Sequence, residues 1–178
     1  MKTPIILTLL CAFLAFNSLT AQISNQESHK DLVQNGTNLD NHKILNAAVK
    51  ATELDALLDN AGPFTIFAPS DAAFERFSSE KISELLNSKD KSALKSLLTY
   101  HIVAGQLTAS RILSAMCRGN GKASFTTVQG KKLLAHLDGY DIVLTDPMGN
   151  TARITTADLN SKIGVVHEID SVILPTQM

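Results

Sequence analysis

The side chains able to do chemistry are few, and their spacing works against it. Five histidines, His29, His42, His101, His136 and His167, are scattered along the chain. Serine and aspartate are present, but no G-x-S-x-G elbow offers an activated nucleophile. His167-Glu168 opens like a zinc-protease motif, yet the residue four after His167 is Ser171. That segment also reads as a strand, where positions i and i+4 do not converge on a metal as they do on a helix. Cys11 and Cys117 cannot form a C-x-x-C site. Gly119-Asn120-Gly121 lacks the third glycine of a dinucleotide loop and the preceding strand. A phosphate loop is missing too. The expectation is therefore no enzyme, no cofactor and no metal. His101 and His167 keep some interest, because each falls within an apolar run. Their expected role is structural, with the ring bonded to backbone or a hydroxyl inside the core.

Around these residues the pattern divides into two halves. Ile44, Leu45 and Ala48 share a helical face. Thr52 is expected to cap a second short helix, with Asp55 in the reciprocal position and Leu54, Leu57 and Leu58 inward. Asn60-Ala61-Gly62-Pro63 stops it. Phe64 to Ala68 reads as a buried strand before Pro69. Asp71 is expected to cap a helix carrying Phe74 and Phe77, and Ile82, Leu85 and Leu86 mark another. Asp90 caps one bearing Leu94, Leu97 and Leu98, and Thr108 caps a last one around Ile112. Beyond Gly119-Asn120-Gly121 the signals are strands: Phe125 to Val128, Lys132 to Leu137, Asp141 to Leu144, Ala152 to Ala157 and Val165 to Leu174. In the last of these, Val165, His167 and Ile169 share one parity and Val172 and Leu174 the other. That switch predicts a bulge or bend near Asp170-Ser171. Helices first and antiparallel strands second argue an α+β fold.

Composition narrows the context. The 178 residues are 44% hydrophobic and 19% charged, enough for one domain with a sizeable core. Only 5% are aromatic, so that core is mainly aliphatic. The formal charge of −1 gives no reason to expect a nucleic-acid partner. Lys2, the apolar run Ile5 to Phe16 and Leu19-Thr20-Ala21 read as a secretory signal peptide over residues 1–21. A run of roughly 12 residues falls short of the ~20 that span a bilayer, so no membrane span is expected. Residues 22–38 form a polar leader that includes Asn35-Gly36-Thr37, an N-glycosylation acceptor in a eukaryotic secretory pathway. The domain is placed at 39–176. With Cys11 removed, Cys117 has no partner for a disulfide. It is expected to be a small buried residue, with an exposed thiol as the alternative.

Three segments resemble the fasciclin domain family. Phe64-Thr65-Ile66-Phe67-Ala68-Pro69-Ser70-Asp71-Ala72-Ala73-Phe74 is similar to its first signature. Leu97-Leu98-Thr99-Tyr100-His101-Ile102-Val103 resembles its Tyr-His motif. Gly164-Val165-Val166-His167-Glu168-Ile169-Asp170-Ser171-Val172-Ile173-Leu174-Pro175 is similar to its second signature. The resemblance implies a wedge-like fold, a bent antiparallel β-sandwich with helices packed at one side. It also implies a secreted adhesive or scaffolding module, extracellular or periplasmic, whose partner is a cell-surface or matrix protein or a polysaccharide. The brief single-domain plan suggests a bacterial source. Integrin binding in animal members is attributed to an Asp-Ile pair and to the Tyr-His motif. Carried over, these mark Asp158, Leu159, Tyr100 and His101 as candidate partner-binding residues. Ile163 and Glu168 depart from the family pattern. A small-molecule carrier with an apolar cleft is the second reading, and a hydrolase is the third.

Overall fold

The computed structural model describes residues 41–58, 61–161 and 163–175. The expected signal peptide, the leader and Asn35 lie outside them.

Four helices precede the first group of strands or interrupt it. They are α1 (Lys43–Thr52), α2 (Leu54–Leu58), α3 (Asp71–Asn87) and α4 (Ser92–Tyr100); β1 (Phe64–Pro69) falls between α2 and α3. Next come β2 (Ile102–Ala104), α5 (Ala109–Arg118), β3 (Lys122–Thr126), β4 (Lys132–Asp138), β5 (Asp141–Thr145), β6 (Thr151–Ser161) and β7 (Gly164–Ile169). Helices dominate the first half and strands the second, as the residue pattern implies.

The strands follow the order β2-β1-β7-β6-β5-β4-β3. A bridge from Val103 to Thr127 and a bond from Val128 N–H to Ile102 O bring β2 and β3 together, so the sheet nearly closes. One pairing departs from the antiparallel expectation: β1 and β7 run parallel from Phe64↔Gly164 to Pro69↔Ile169. About a hundred residues separate the two strands, ample for the crossover that a parallel pair requires. This pair lies between two apolar clusters. Phe64, Ile66, Ala68 and Val166 join the helix-side cluster with Leu45, Leu58, Leu94 and Leu97. Phe67 and Ile169 join a second cluster with Ile112, Leu133, Leu144 and Ala152. Strands buried on both faces read as continuous apolar runs rather than alternating ones, which is the pattern of the Phe64 segment. Gly164 has φ +144, and a Cβ there would lie 1.8 Å from Phe64 O. Only glycine lets the two backbones meet at that register.

Local chemistry refines several expectations. Ser70, not Asp71, caps α3 by accepting Ala73 N–H. The Asp71 carboxylate instead accepts Lys43 N–H at 3.1 Å and Ile44 N–H at 2.9 Å, closing the N-terminus of α1. Thr52 does not cap the second helix. It ends α1, and its hydroxyl turns back to Ala48 O and Val49 O. The two helices expected over 71–87 both form within α3, divided by a kink at Ser78, whose backbone is non-helical and whose hydroxyl accepts Lys81 N–H to start the second. Cys117 is exposed rather than buried. The inward face of α5 is set by Ile112 and Met116, and the next residue is rotated ~100° toward solvent.

The end of the domain departs most from a regular strand. β7 stops at Ile169, Asp170 and Ser171 bend, and Val172 and Ile173 are buried beyond the sheet. Asp146 fixes this segment. It is 3% exposed, and its carboxylate accepts N–H bonds from Met148, Asn150 and Leu174 and from the Asn150 amide, at 2.8–2.9 Å. Asp146→Ala would remove the acceptor from all of these partly buried bonds, at about 1–3 kcal/mol for each donor that water does not reach. Denaturant unfolding of this variant is expected to show a loss of about 2–4 kcal/mol; a change below ~0.5 kcal/mol, the size of an ordinary surface substitution, would show that Asp146 does not anchor the segment.

Candidate functional site

The Tyr-His motif sits where α4 ends. Leu94, Leu97 and Leu98 bury one side of that helix and carry Tyr100 and His101 into the interior. Tyr100 is fully buried, and its hydroxyl donates to Lys132 O at 2.9 Å. Burial pushes the phenol above its usual range, and the charge of Asp146 adds to the effect. His101 is 3% exposed. Its main chain caps α4 through His101 N–H to Leu98 O, and its carbonyl accepts Phe67 N–H at 2.9 Å. Its ring reaches both ways: Nδ1 lies 2.8 Å from Leu97 O, and Nε2 accepts Ile173 N–H at 3.3 Å. A carbonyl can only accept and an amide can only donate, so the proton resides on Nδ1. Burial lowers the imidazole to about 4, against the opposing pull of Leu97 O and Asp146. The ring is neutral at pH 7 and ties α4 to the C-terminal segment.

His167 does the same work on β7. Its ring stacks on Phe67, with centroids 5.6 Å apart. Nε2 lies 2.7 Å from Leu107 O, and Nδ1 accepts Asp158 N–H at 3.3 Å. Burial lowers this imidazole as well, while the Leu107 bond and Asp158 oppose the shift. Thr65 completes the arrangement from β1. Its hydroxyl donates to Gly105 O and accepts Leu107 N–H, each at 2.7 Å. The segment between β2 and α5 is thus held from below by one threonine and one histidine.

Asp158 and Leu159 belong to β6 rather than to a loop. The register with β7 shifts between Thr156 and Leu159, and Asp158 within that shift takes φ +59. The Asp158 side chain is exposed, and its Oδ1 accepts Ala109 N–H at 2.8 Å in the first turn of α5. A carboxylate there is favoured by the helix dipole. Leu159 is half-buried and packs on the helix-side core. The structure therefore brings Asp158 against His167, while the Tyr100 and His101 rings lie in the interior. A partner at the surface would meet Asp158 and the exposed part of Leu159, not those rings.

Sequence reasoning missed Thr65 and Asp146, both of which hold backbone from far along the chain. It also gave His42 no role. That ring is fully buried, 3.7 Å from Glu168 Oε2, and neither nitrogen hydrogen-bonds to another described residue. Glu168, one of the two departures from the family pattern, accepts the Thr155 hydroxyl at 3.1 Å. Among the described residues no group of three or more His, Cys, Asp or Glu could hold a metal. The apolar cavity beside His101, lined by Leu45, Val49, Leu54, Ile66, Leu98 and Ile102, has a volume of about 20 Å³, far below the ~300 Å³ where small-molecule sites begin.

A nearly closed sheet with helices against one side of its parallel pair, held by a Tyr-His turn and a second histidine strand, defines a class. The chain belongs to the fasciclin family: the Fasciclin domain model matches residues 40–175. The chain is 32% identical over 149 residues to Protein sll1483 of Synechocystis, covering 84% of this chain and 76% of that one. It is 30% identical to transforming growth factor-beta-induced protein ig-h3 of Sus scrofa, covering 76% of this chain but 18% of that one. It is 33% identical over 116 residues to the cell surface glycolipoprotein MPT83 of Mycobacterium tuberculosis, covering 65% of this chain and 46% of that one. A solved FAS1 domain pair from the insect cell adhesion molecule Fasciclin I superposes with a TM-score of 0.57 at 26% identity, over 74% of this chain and 44% of that one. No helix among the described residues is long and apolar enough to cross a membrane.

His101 generates a pH prediction. Its folded value of about 4 lies below the unfolded value of 6.5. The unfolded chain therefore binds the extra proton first as pH falls. The stability due to the neutral ring is complete above pH ~6.5 and is lost between there and pH ~4, a fall on the order of 3 kcal/mol. Urea unfolding of wild type and His101→Gln across this range is expected to show a shallower fall in the variant. Parallel curves would mean that the ring does not titrate on unfolding.

Proposed function

We propose that this chain is an exported fasciclin module that adheres to a protein or polysaccharide partner through surface contacts and makes or breaks no covalent bond. The observation that carries the reading is how the two motif histidines are spent. Each ring uses both nitrogens on main-chain groups, so neither faces a serine or cysteine that it could activate. Burial holds both rings toward the uncharged form, which suits scaffolding. The cell-surface and cell-adhesion names of the relatives support the adhesive half of the proposal. Lys2, the apolar run and Ala21 support export before Gln22.

The contact patch proposed is Asp158-Leu159. A carboxylate beside a partly exposed apolar residue supplies both charge complementarity and a small anchor. Because Asp158 also caps α5 and takes a left-handed conformation, its truncation would mix folding with binding. Asp158→Asn keeps an acceptor, tolerates that backbone and removes the charge. Adhesion of the exported protein to its surface partner, measured on immobilised surface extract, is expected to weaken about threefold to tenfold, in line with a rim charge. The unfolding midpoint should stay within ~0.5 kcal/mol of wild type. Full adhesion in the variant would remove this pair as the contact, and turnover of an ester, glycoside or peptide by the purified protein would overturn the non-catalytic reading.

A further inference from the structure

A groove opens between α3, the turn before β6 and the bend after β7. Its volume is about 370 Å³, and its walls include Arg76 and Phe77 of α3, Asn150 and Thr151 at the start of β6, and Ser171 with Val172. That volume falls within the range of small-ligand sites.

Several polar groups in it have no partner within the fold. Arg153 forks onto Asp138 and Asp141, and Arg111 donates to Gln106 O. The Arg76 guanidinium is exposed and has no hydrogen bond or ion pair with any described residue. Nor do the hydroxyls of Thr151 and Ser171. Asn150 is different again. Its Nδ2 donates to the buried Asp146 carboxylate at 2.8 Å, and its main-chain N–H bonds to the same group at 2.9 Å. A carboxylate only accepts, so the amide nitrogen must face Asp146, and Oδ1 is left as an acceptor for the groove. Asp146 also holds Leu174 N–H. One buried anion thus ties the turn before β6 to the segment after β7, two of the three elements that border the groove.

We propose that this groove binds a uronic-acid residue of an acidic saccharide. The guanidinium fork matches a planar carboxylate in bidentate geometry. Asn150 Oδ1 accepts from a sugar hydroxyl, and Thr151 and Ser171 serve as donor or acceptor to its neighbours. Phe77 and Val172 supply the apolar wall for the C–H face of the ring. A single carboxylate among several hydroxyls on a compact ring uses every group present. Thr151 and Asp158 lie near opposite ends of β6, so this site is separate from the Asp158-Leu159 patch and stands or falls independently of it.

The test uses the full exported protein and trigalacturonate, with calorimetry for affinity and side-chain NMR of the Arg76 guanidinium for location. Saturable binding with a Kd of about 1 mM or tighter is expected, an affinity within reach of a small polar ligand. Arg76→Gln, at an exposed position, should keep the wild-type unfolding midpoint and bind at least about tenfold more weakly, as expected when a charge-assisted pair is lost. Methyl-esterified trigalacturonate should weaken to a similar degree against the unaltered protein, which needs no variant. Arg118→Gln, at an exposed arginine outside the groove lining, should bind as wild type does. Absence of saturable binding, equal affinity for the methyl ester, unchanged affinity in Arg76→Gln, or equally tight binding of an N-acetyl dipeptide acid would each overturn the assignment.

Discussion

Beyond Ile169 the chain leaves the sheet while still inside the protein, and its amides lose the ladder that would have paired them. A buried amide without a partner costs about as much as a lost hydrogen bond. The fold meets this constraint with side chains: Nε2 of His101 receives Ile173 N–H, and the Asp146 carboxylate receives Leu174 N–H. The imidazole accepts only in its neutral form, because an imidazolium would have no lone pair to offer Ile173. The burial that makes these amides costly also holds His101 in its neutral form. The same tie fixes α4 against β1, because His101 O accepts Phe67 N–H. Helical layer, parallel pair and chain terminus therefore meet at one residue.

This constraint accounts for residues that look functional. Tyr100 and His101 sit side by side in an apolar run, and His167 interrupts another. The rings are polar because backbone leaves regular structure beside them, not because they face a substrate or a partner. His167 answers Leu107 O and Asp158 N–H in the same way that His101 answers Leu97 O and Ile173 N–H. Thr65 does this from β1. The surface groups proposed for recognition lie outside the motif rings: the exposed Asp158 side chain on β6 and the groups around Arg76.

Local signals made much of the architecture legible. Apolar periodicity located α1 and α4, the Thr108 cap located α5, and a short apolar run marked β1 as a buried strand. The parity switch placed a bend at Asp170-Ser171, where the chain does bend. The ring roles of His101 and His167 followed from burial alone. Long-range pairing was not legible. Nothing near Phe64 states that its partner is Gly164 or that the two strands run parallel, because that depends on where the crossover returns. Nothing near Asp71 states that it caps a helix beginning 28 positions earlier. Thr52 carried a valid capping signature and used its hydroxyl for the preceding turn instead, since α1 continues through it. Cys117 was misplaced because rotation on α5 is set by Ile112 and Met116, and the general tendency of cysteine to be buried does not fix an individual position. The Arg76 groove joins residues from three distant segments, so no local motif could announce it.

Native-state hydrogen exchange of the Ile173 and Leu174 amides addresses the central claim most directly. If His101 and Asp146 replace the missing ladder, these two amides exchange only through global unfolding, with protection equal to that of the amides in β1 and β7, despite lying outside any strand and within six residues of the chain's end. Protection should fall selectively at Ile173 in His101→Gln. Exchange at the rate of a fraying terminus, in wild-type protein at neutral pH, would contradict the account.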